Sequence, residues 1–393
     1  MDVQTDPMNR ESKRGNFIQT SSSSAAAADL VTLVRSLPPE IITEILSRLP
    51  VKSLLRCRCV SISWNALIAD PIFVKKHLKA SQNEEQLLIR YSQWVRTSDV
   101  KSVYISDVLN EEFPTELSLN FPKKYSKSDI WIIGSCNGLV CVVIDQAKIL
   151  LWNPSTRESK KLPSCGYKER ASRFIAYGFG YDERNSDYKV IVINCKSTNF
   201  TGPFSTQIKI YGLKSGSWRK VKNYPQFCPL GDMGMFVNGT LHWGASIDTG
   251  INSYQSILTF DMSEETFSEI SQPCFGESVL DSVIWVLNGC LCMLINYHDE
   301  RKFDLWIMKD YGKTESWTKL FSLPFPEGRM NFQFTPLYIT KKNEILMLFG
   351  KQLVLFHVEN KVITISYPGL KNAHKRCLEA LTYTESLVSP SPE

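Results

Sequence analysis

Apolar residues recur at Ile41, Ile42, Ile45, Leu46 and Leu49, while Glu40, Glu44 and Arg48 fall mainly on the other side. That spacing is the stripe of an amphipathic helix. Pro38 and Pro39 suit the first turn of a helix, where a missing N–H costs nothing. Pro50 predicts its end, because the residue before a proline avoids the α region. Leu54, Leu55, Cys57, Val60, Trp64, Leu67 and Ile68 carry the apolar series through one or two more short helices. Asp70-Pro71 reads as a cap followed by a first-turn proline, so a last helix carrying Phe73, Val74 and Leu78 is predicted to start there. A stretch of about 40 residues is small for a core of its own. Its apolar residues therefore pack on another part of the chain or are covered by a partner's helices.

After residue 130 the pattern becomes that of short strands. An Asn-Gly turn followed by an apolar strand occurs at Asn137-Gly138, Asn238-Gly239 and Asn288-Gly289. Asp187-Tyr188 fills the slot between the first two, and Asn343-Glu344 is a looser copy. Asn-Gly favours two-residue hairpins because both positions accept positive φ. A second pattern, an apolar strand, a polar turn and a short Thr/Ser/Trp-bearing strand, recurs at 151–162, 210–221, 260–270, 307–320 and 356–365. Repeats of about 50 residues, each with four short strands, predict β-propeller blades of the kelch size class. Five blades fit between 130 and 366. Strand-like runs at 87–90 and 103–105, completed by a terminal strand within 377–388, supply another. The expected fold is thus a small all-α N-terminal stretch followed by an all-β, kelch-like propeller of about six blades, with seven as the alternative. Trp152, Trp243, Trp285, Trp306 and Trp317 lie in the predicted strands, where blade packing explains them better than ligand stacking.

Composition narrows the classes. The chain has 393 residues, enough for two or more domains, and its 43% hydrophobic content is that of a globular protein. A net charge of +5 is too small to argue for nucleic acid. The eleven cysteines include the pairs Cys57/Cys59 and Cys290/Cys292 but no C-x-x-C, and the five histidines are scattered. Reduced, mostly buried thiols and no metal are expected, in keeping with a cytoplasmic or nuclear location. Residues 1–34 read as a disordered leader, polar and bearing four serines at 21–24, with no signal-peptide pattern. No transmembrane helix is predicted, since the most apolar stretch, 283–295, is broken by Asn288 and Gly289.

The helical stretch, LPPEIITEILSRLP followed by SLLRCRCVSISW, resembles the F-box. The resemblance implies binding to a Skp1-type adaptor within a cullin-RING ubiquitin ligase. Carried over by position, the adaptor-contacting residues would be Leu37, Pro38, Ile42, Ile45, Leu46, Leu49, Pro50, Leu54, Leu55, Val60 and Trp64. Each of these is as readily internal core as contact. The signatures GSCNGL from Gly134, LWNPST from Leu151, YGFGYD from Tyr177 and YTESL from Tyr383 resemble the plant F-box-associated interaction domain of the kelch-like type. The expected organisation is residues 1–34 disordered, 35–80 F-box, 85–388 propeller and 389–393 a tail.

In an up-and-down blade, alternate connections emerge on the same side. The short Asn-Gly and polar turns share one side of the propeller. The longer connections at 195–206, 246–255 and 296–302 share the other. Binding residues concentrate on loops held by a rigid scaffold. Phe200, Tyr254, Tyr297, His298 and Arg301 are therefore the candidate target-binding residues, against the plainer reading that these loops are merely variable.

No motif for chemistry competes. Gly178-Phe179-Gly180 lacks the third glycine and the following helix of a dinucleotide loop. No G-x-x-x-x-G-K-[ST], G-x-S-x-G or H-E-x-x-H occurs, and the cysteines lack RING spacing. The sequence thus predicts a non-catalytic substrate-recognition subunit of a Skp1–cullin–F-box ligase, without cofactors. Its expected partners are the adaptor, the cullin-RING subunits and an unidentified target protein, with no nucleic acid and no membrane. The alternatives are a non-ligase scaffold bound to the same adaptor and, in another class, a propeller enzyme.

Overall fold

A computed structural model of the chain describes residues 37–80, 85–93, 98–110, 116–125, 128–167, 174–197, 204–222, 224–229, 231–246, 255–274, 279–297, 302–324, 334–349, 352–358, 362–367 and 375–391. The expected disordered leader lies outside them. The chain divides into two units, Met1–Arg48 and Leu49–Glu393, and the boundary falls inside the 35–80 stretch.

In the first unit, helix α1 (Pro39–Ser47) begins where its prolines predict. The Ile41 and Ile42 amides both donate to the Pro38 carbonyl. Arg48 reaches back to Glu44 across one turn, at 2.7 Å.

The second unit opens with α2 (Val51–Cys57), α3 (Ile62–Ala69) and α4 (Pro71–Ala80). Ser61 caps α3 by accepting from the Trp64 amide at 3.1 Å. Asp70 caps α4, its Oδ1 accepting from the Ile72 amide at 2.7 Å. His77 is buried, and its Nε2 lies 2.8 Å from the Leu49 carbonyl, holding α4 to the segment before α2.

The rest of the second unit is a β-propeller. β1 (Glu85–Gln93), β2 (Ser98–Tyr104) and β3 (Leu117–Ser118) form an antiparallel meander. A short helix, α5 (Ile105–Asn110), follows β2 and buries Ile105 and Val108 beside Leu337 and Leu346. The strand pattern at 103–105 did not predict it. The next sheet is β4 (Ile130–Cys136), β5 (Leu139–Ile144), β6 (Lys148–Trp152) and β7 (Ser159–Lys161).

A nine-stranded sheet follows. Its first half is β8 (Phe174–Asp182), β9 (Asp187–Ser197), β10 (Phe204–Gly212) and β11 (Ser217–Lys220). Its second half is β12 (Cys228–Pro229), β13 (Met233–Val237), β14 (Thr240–Ser246), β15 (Gln255–Asp261) and β16 (Phe267–Ile270). The halves are joined by a short parallel pairing, Met233 with Tyr177 and Gly234 with Gly178. Any side chain at Gly178 or Gly234 would run into the Trp243 ring, so both glycines are needed for this approach.

Two further four-stranded sheets complete the series. They are β17 (Val279–Leu287) to β20 (Trp317–Pro324), through β18 (Cys290–Tyr297) and β19 (Lys302–Met308), and β21 (Phe334–Ile339) to β24 (Val362–Tyr367), through β22 (Glu344–Phe349) and β23 (Gln352–His357). The terminal strand β25 (Lys375–Thr384) then pairs with β1 along its whole length.

Leading strands lie side by side: β4 with β8, β8 with β13, β13 with β17, β17 with β21, β21 with β25, and β25 with β4. The hydrophobic clusters each draw on two neighbouring meanders, so the core sits between them rather than at one centre. The five strand tryptophans all take part in this packing. At the Asn-Gly turns both residues have positive φ, for example 51° at Asn137 and 78° at Gly138.

Candidate functional site

The apolar stripe of α1 divides along its length. Leu46 is 2% exposed, whereas Ile41 and Ile45 are 47% and 51% exposed. These two isoleucines are four residues apart and so stand above one another on the same helix face. Leu37 and Ile42 are half-buried and Pro38 is exposed. In the second unit Pro50 and Val60 are exposed, Leu49, Leu55 and Trp64 are half-buried, and Leu54 is buried. Leu46 and Leu54 are therefore corrected from contact residues to core. A broad apolar stripe has two edges, and in each case the structure turns that edge inward. Sequence reasoning passed over Ile41, and also Ile62 and Ile72, which are 91% and 80% exposed. Ile62 and Ile72 directly follow, or nearly follow, the caps Ser61 and Asp70, where a first-turn side chain points away from the helix body. That position was the available signal.

The target-side candidates fare differently. Phe200, Tyr254, His298 and Arg301 lie outside the described residues. Tyr297 ends β18 and is only 6% exposed, packed with Ile257, Ile295 and Trp317, with the Lys302 ammonium 4.9 Å above its ring. It is corrected to a packing residue: strand alternation carries its ring into the cluster between meanders.

On the short-turn side, charged and polar groups join neighbouring meanders. Lys189 on β9 is buried and meets Asp182 at 2.6 Å, Glu265 at 2.7 Å and the Met262 carbonyl at 2.6 Å. Asp182 also accepts from Ser263 Oγ and from Asn185. Burial would raise the Asp182 pKa, but the bonds from Lys189, Asn185 and Ser263 outweigh it and hold the carboxyl well below its usual range. His242 lies at the next junction. Its Nδ1 is 3.0 Å from the Met235 carbonyl and its Nε2 is 2.8 Å from the Tyr311 hydroxyl. Burial pulls its pKa down to about 4, against the bonds to Met235 and Thr240. Both ring nitrogens are engaged, so neither is poised to move a substrate proton. Among the described residues no group of three or more His, Cys, Asp or Glu is placed to hold a metal. Among them, too, no helix is long and apolar enough to cross a membrane.

Three of the four signature motifs converge on one place. The Asn153 amide donates to the Ser386 and Val388 carbonyls at 3.0 and 2.8 Å, while its Oδ1 accepts from the Ser155 and Thr156 amides. Ser155 Oγ lies 2.6 Å from the Tyr383 hydroxyl. Gly138 packs directly under Ser386. LWNPST, CNGL and YTESL are thus parts of one latch that seats the segment after β25.

Residues 35–76 match the F-box domain, and residues 93–390 match the F-box associated beta propeller domain. An F-box/kelch-repeat protein of Arabidopsis thaliana is 32% identical over 366 residues, covering 91% of this chain and 96% of the relative. The F-box protein CPR1 of the same plant is 30% identical over 352 residues, covering 83% of each. Among solved structures, TolB from Acinetobacter baumannii aligns with 80% of this chain and 73% of its own, at 10% identity and a TM-score of 0.43.

Proposed function

Because the chain belongs to the plant F-box proteins that carry an F-box associated β-propeller domain, we propose that it is the substrate-recognition subunit of a Skp1–cullin–F-box ubiquitin ligase. The observation that carries this reading is the exposed Ile41/Ile45 edge of α1 inside the F-box match. Exposed isoleucines stacked on one helix face suit an apolar partner surface. Val60, Ile62 and Ile72 add exposed apolar residues to the other part of the F-box. The adaptor contacts are Ile41, Ile45 and Val60 first, with Leu37, Pro38, Ile42, Leu49, Pro50, Leu55 and Trp64 around them.

The mechanism is positional. The F-box docks on the adaptor, and the propeller holds a target protein near the ubiquitin-charged enzyme. Raising local concentration and orienting a target lysine is a proximity effect. The chain supplies no catalytic group of its own, and transfer chemistry belongs to the other subunits. It works in the cytoplasm or nucleus, and the target is held through the side of the propeller that carries the longer connections. The propeller is a ring of six blades. Counting the nine-stranded sheet as two blades fused at β8 and β13 supports that number.

The reading is tested by purifying the full chain from plant tissue with and without proteasome inhibition. A Skp1-type adaptor and a cullin should co-purify, and proximity-labelled proteins should accumulate under inhibition. Adaptor binding without any accumulation would favour a non-ligase scaffold, and absence of the adaptor would contradict the proposal.

A further inference from the structure

Strand β1 differs from its counterpart β5. Toward the next meander, β5 presents Leu139, Cys141 and Val143, all buried. Toward its own next meander, on the side that carries Leu88 into the cluster shared with β4–β6, β1 alternates Gln86, Leu88 and Arg90. The Arg90 guanidinium is paired with Glu379. Gln86 is 1% exposed, and neither its Nε2 nor its Oε1 has a partner among the described residues. The same holds for Ser102 Oγ and for Trp152 Nε1, both in residues 1% exposed.

Register and packing place these three side chains at one seam. The β1–β2 register sets Gln86 opposite Tyr104 and Leu88 opposite Ser102, so Gln86 and Ser102 are diagonal neighbours on one face. Diagonal neighbours are within reach of a long side chain. Leu88 packs in one cluster with Trp152 and Tyr383. Tyr383 is the β25 partner of Gln86, and its hydroxyl bonds Ser155, three residues past Trp152. Trp152 therefore approaches from the next meander at the level of Gln86.

Their chemistry is complementary to one kind of ligand. An indole N–H only donates, a primary amide both donates and accepts, and a hydroxyl does either. A buried polar group left unpaired is destabilising, so three at one place would be a heavy local penalty. A ligand that accepts from Trp152 and donates to Gln86 removes it. Residues this closed to solvent leave no entry for a larger solute, and a bare ion would find no opposite charge, since Arg90 and Glu379 satisfy each other.

We propose that Gln86, Ser102 and Trp152 form an internal water site at the seam where the terminal strand β25 joins β1. Buried waters of this kind make about three hydrogen bonds to otherwise unpaired groups and are costly to remove. The seam that closes the propeller is then wet and polar, whereas the equivalent face of β5 is dry.

A crystal structure of the full chain at a resolution that shows ordered water tests this directly. The expected result is a water within about 2.7–3.2 Å of the Gln86 amide, Ser102 Oγ and Trp152 Nε1. Its replacement by direct bonds among the three side chains, or a dry site, would overturn the proposal. Gln86→Met and Ser102→Ala should each lower Tm by about 2–4 °C, with the double variant losing less than the sum. A rise in Tm for Gln86→Met would contradict it, because removing an unhydrated amide relieves a penalty. Should a variant fail to fold, the unaltered chain's crystal structure still decides the question.

Discussion

Arg90 Nε donates to Glu379 Oε2 at 2.7 Å across the β1–β25 ladder, joining two residues 289 positions apart. The Arg90 side chain is 4% exposed, and Asp129 approaches it at 4.0 Å from the adjoining meander. The strand that begins the propeller and the strand that ends it are thus held by an ion pair between a buried guanidinium and a part-exposed carboxylate.

Removing Glu379 leaves the buried guanidinium with only the more distant Asp129 carboxylate, at a cost of about 1–3 kcal/mol. Glu379→Gln should therefore destabilise the chain more than the paired replacement Arg90→Met/Glu379→Met. A double-mutant cycle by chemical denaturation checks this, and additive effects would mean the pair does not couple the termini.

Asn153 uses both its donor and its acceptor atoms on the latch. Asn153→Ala removes these bonds and leaves the Ser386 and Val388 carbonyls wanting donors, so a loss of about 2–4 kcal/mol is expected. Hydrogen exchange should quicken along β25 before it does along β9. Uniform quickening would place Asn153 in the general core instead.

Gly138 and Gly289 have nearly the same φ, 78° and 75°, but different surroundings. A Cβ at Gly289 meets nothing within 4 Å, while one at Gly138 collides with Ser386. Gly289→Ala should cost about 1–2 kcal/mol from left-handed backbone alone. Gly138→Ala should cost clearly more, and equal losses in thermal melts would remove the latch from the explanation.

The buried His242, bonded to Tyr311, sets a pH dependence. A free histidine titrates near 6.5, and burial pulls His242 down to about 4. Between these values the unfolded chain binds a proton that the folded chain excludes, so stability falls as pH falls through that window. The slope from this one group is at most about 1.4 kcal/mol per pH unit. His242→Gln should flatten it. Asp182 behaves otherwise: its carboxyl is held low, so the stability it adds through Lys189 persists above its unfolded value and is lost only below roughly pH 4.

The legible parts of the fold were those written in local chemistry. Prolines 38, 39, 50 and 71 delimit helices because they act within one turn. The Asn-Gly pairs mark hairpins because few other residues accept positive φ twice in succession. What escaped was decided by distant packing. The stripe of α1 named both Ile45 and Leu46, but only the folded chain separates the exposed edge from the buried one. The strand expected over 103–105 ends at Tyr104 and helix α5 begins at Ile105, since Ile105 and Val108 find part of their burial against residues more than 200 positions away. Tyr297 looked like a loop residue from spacing alone, yet strand alternation puts it inside. The fusion of two meanders at Gly178 and Gly234 depends on the approach of Trp243, which no local pattern reports.

The most direct test of the account is the affinity of the purified full chain for a purified Skp1-type adaptor, with Ile41→Asp/Ile45→Asp set beside the unaltered chain. Each isoleucine buried in an interface contributes about 1.5–3 kcal/mol. The double variant should therefore bind at least about a hundredfold more weakly while its thermal unfolding stays unchanged, because both side chains are already exposed. Unchanged affinity in a folded double variant would contradict the assignment of this edge as the docking surface.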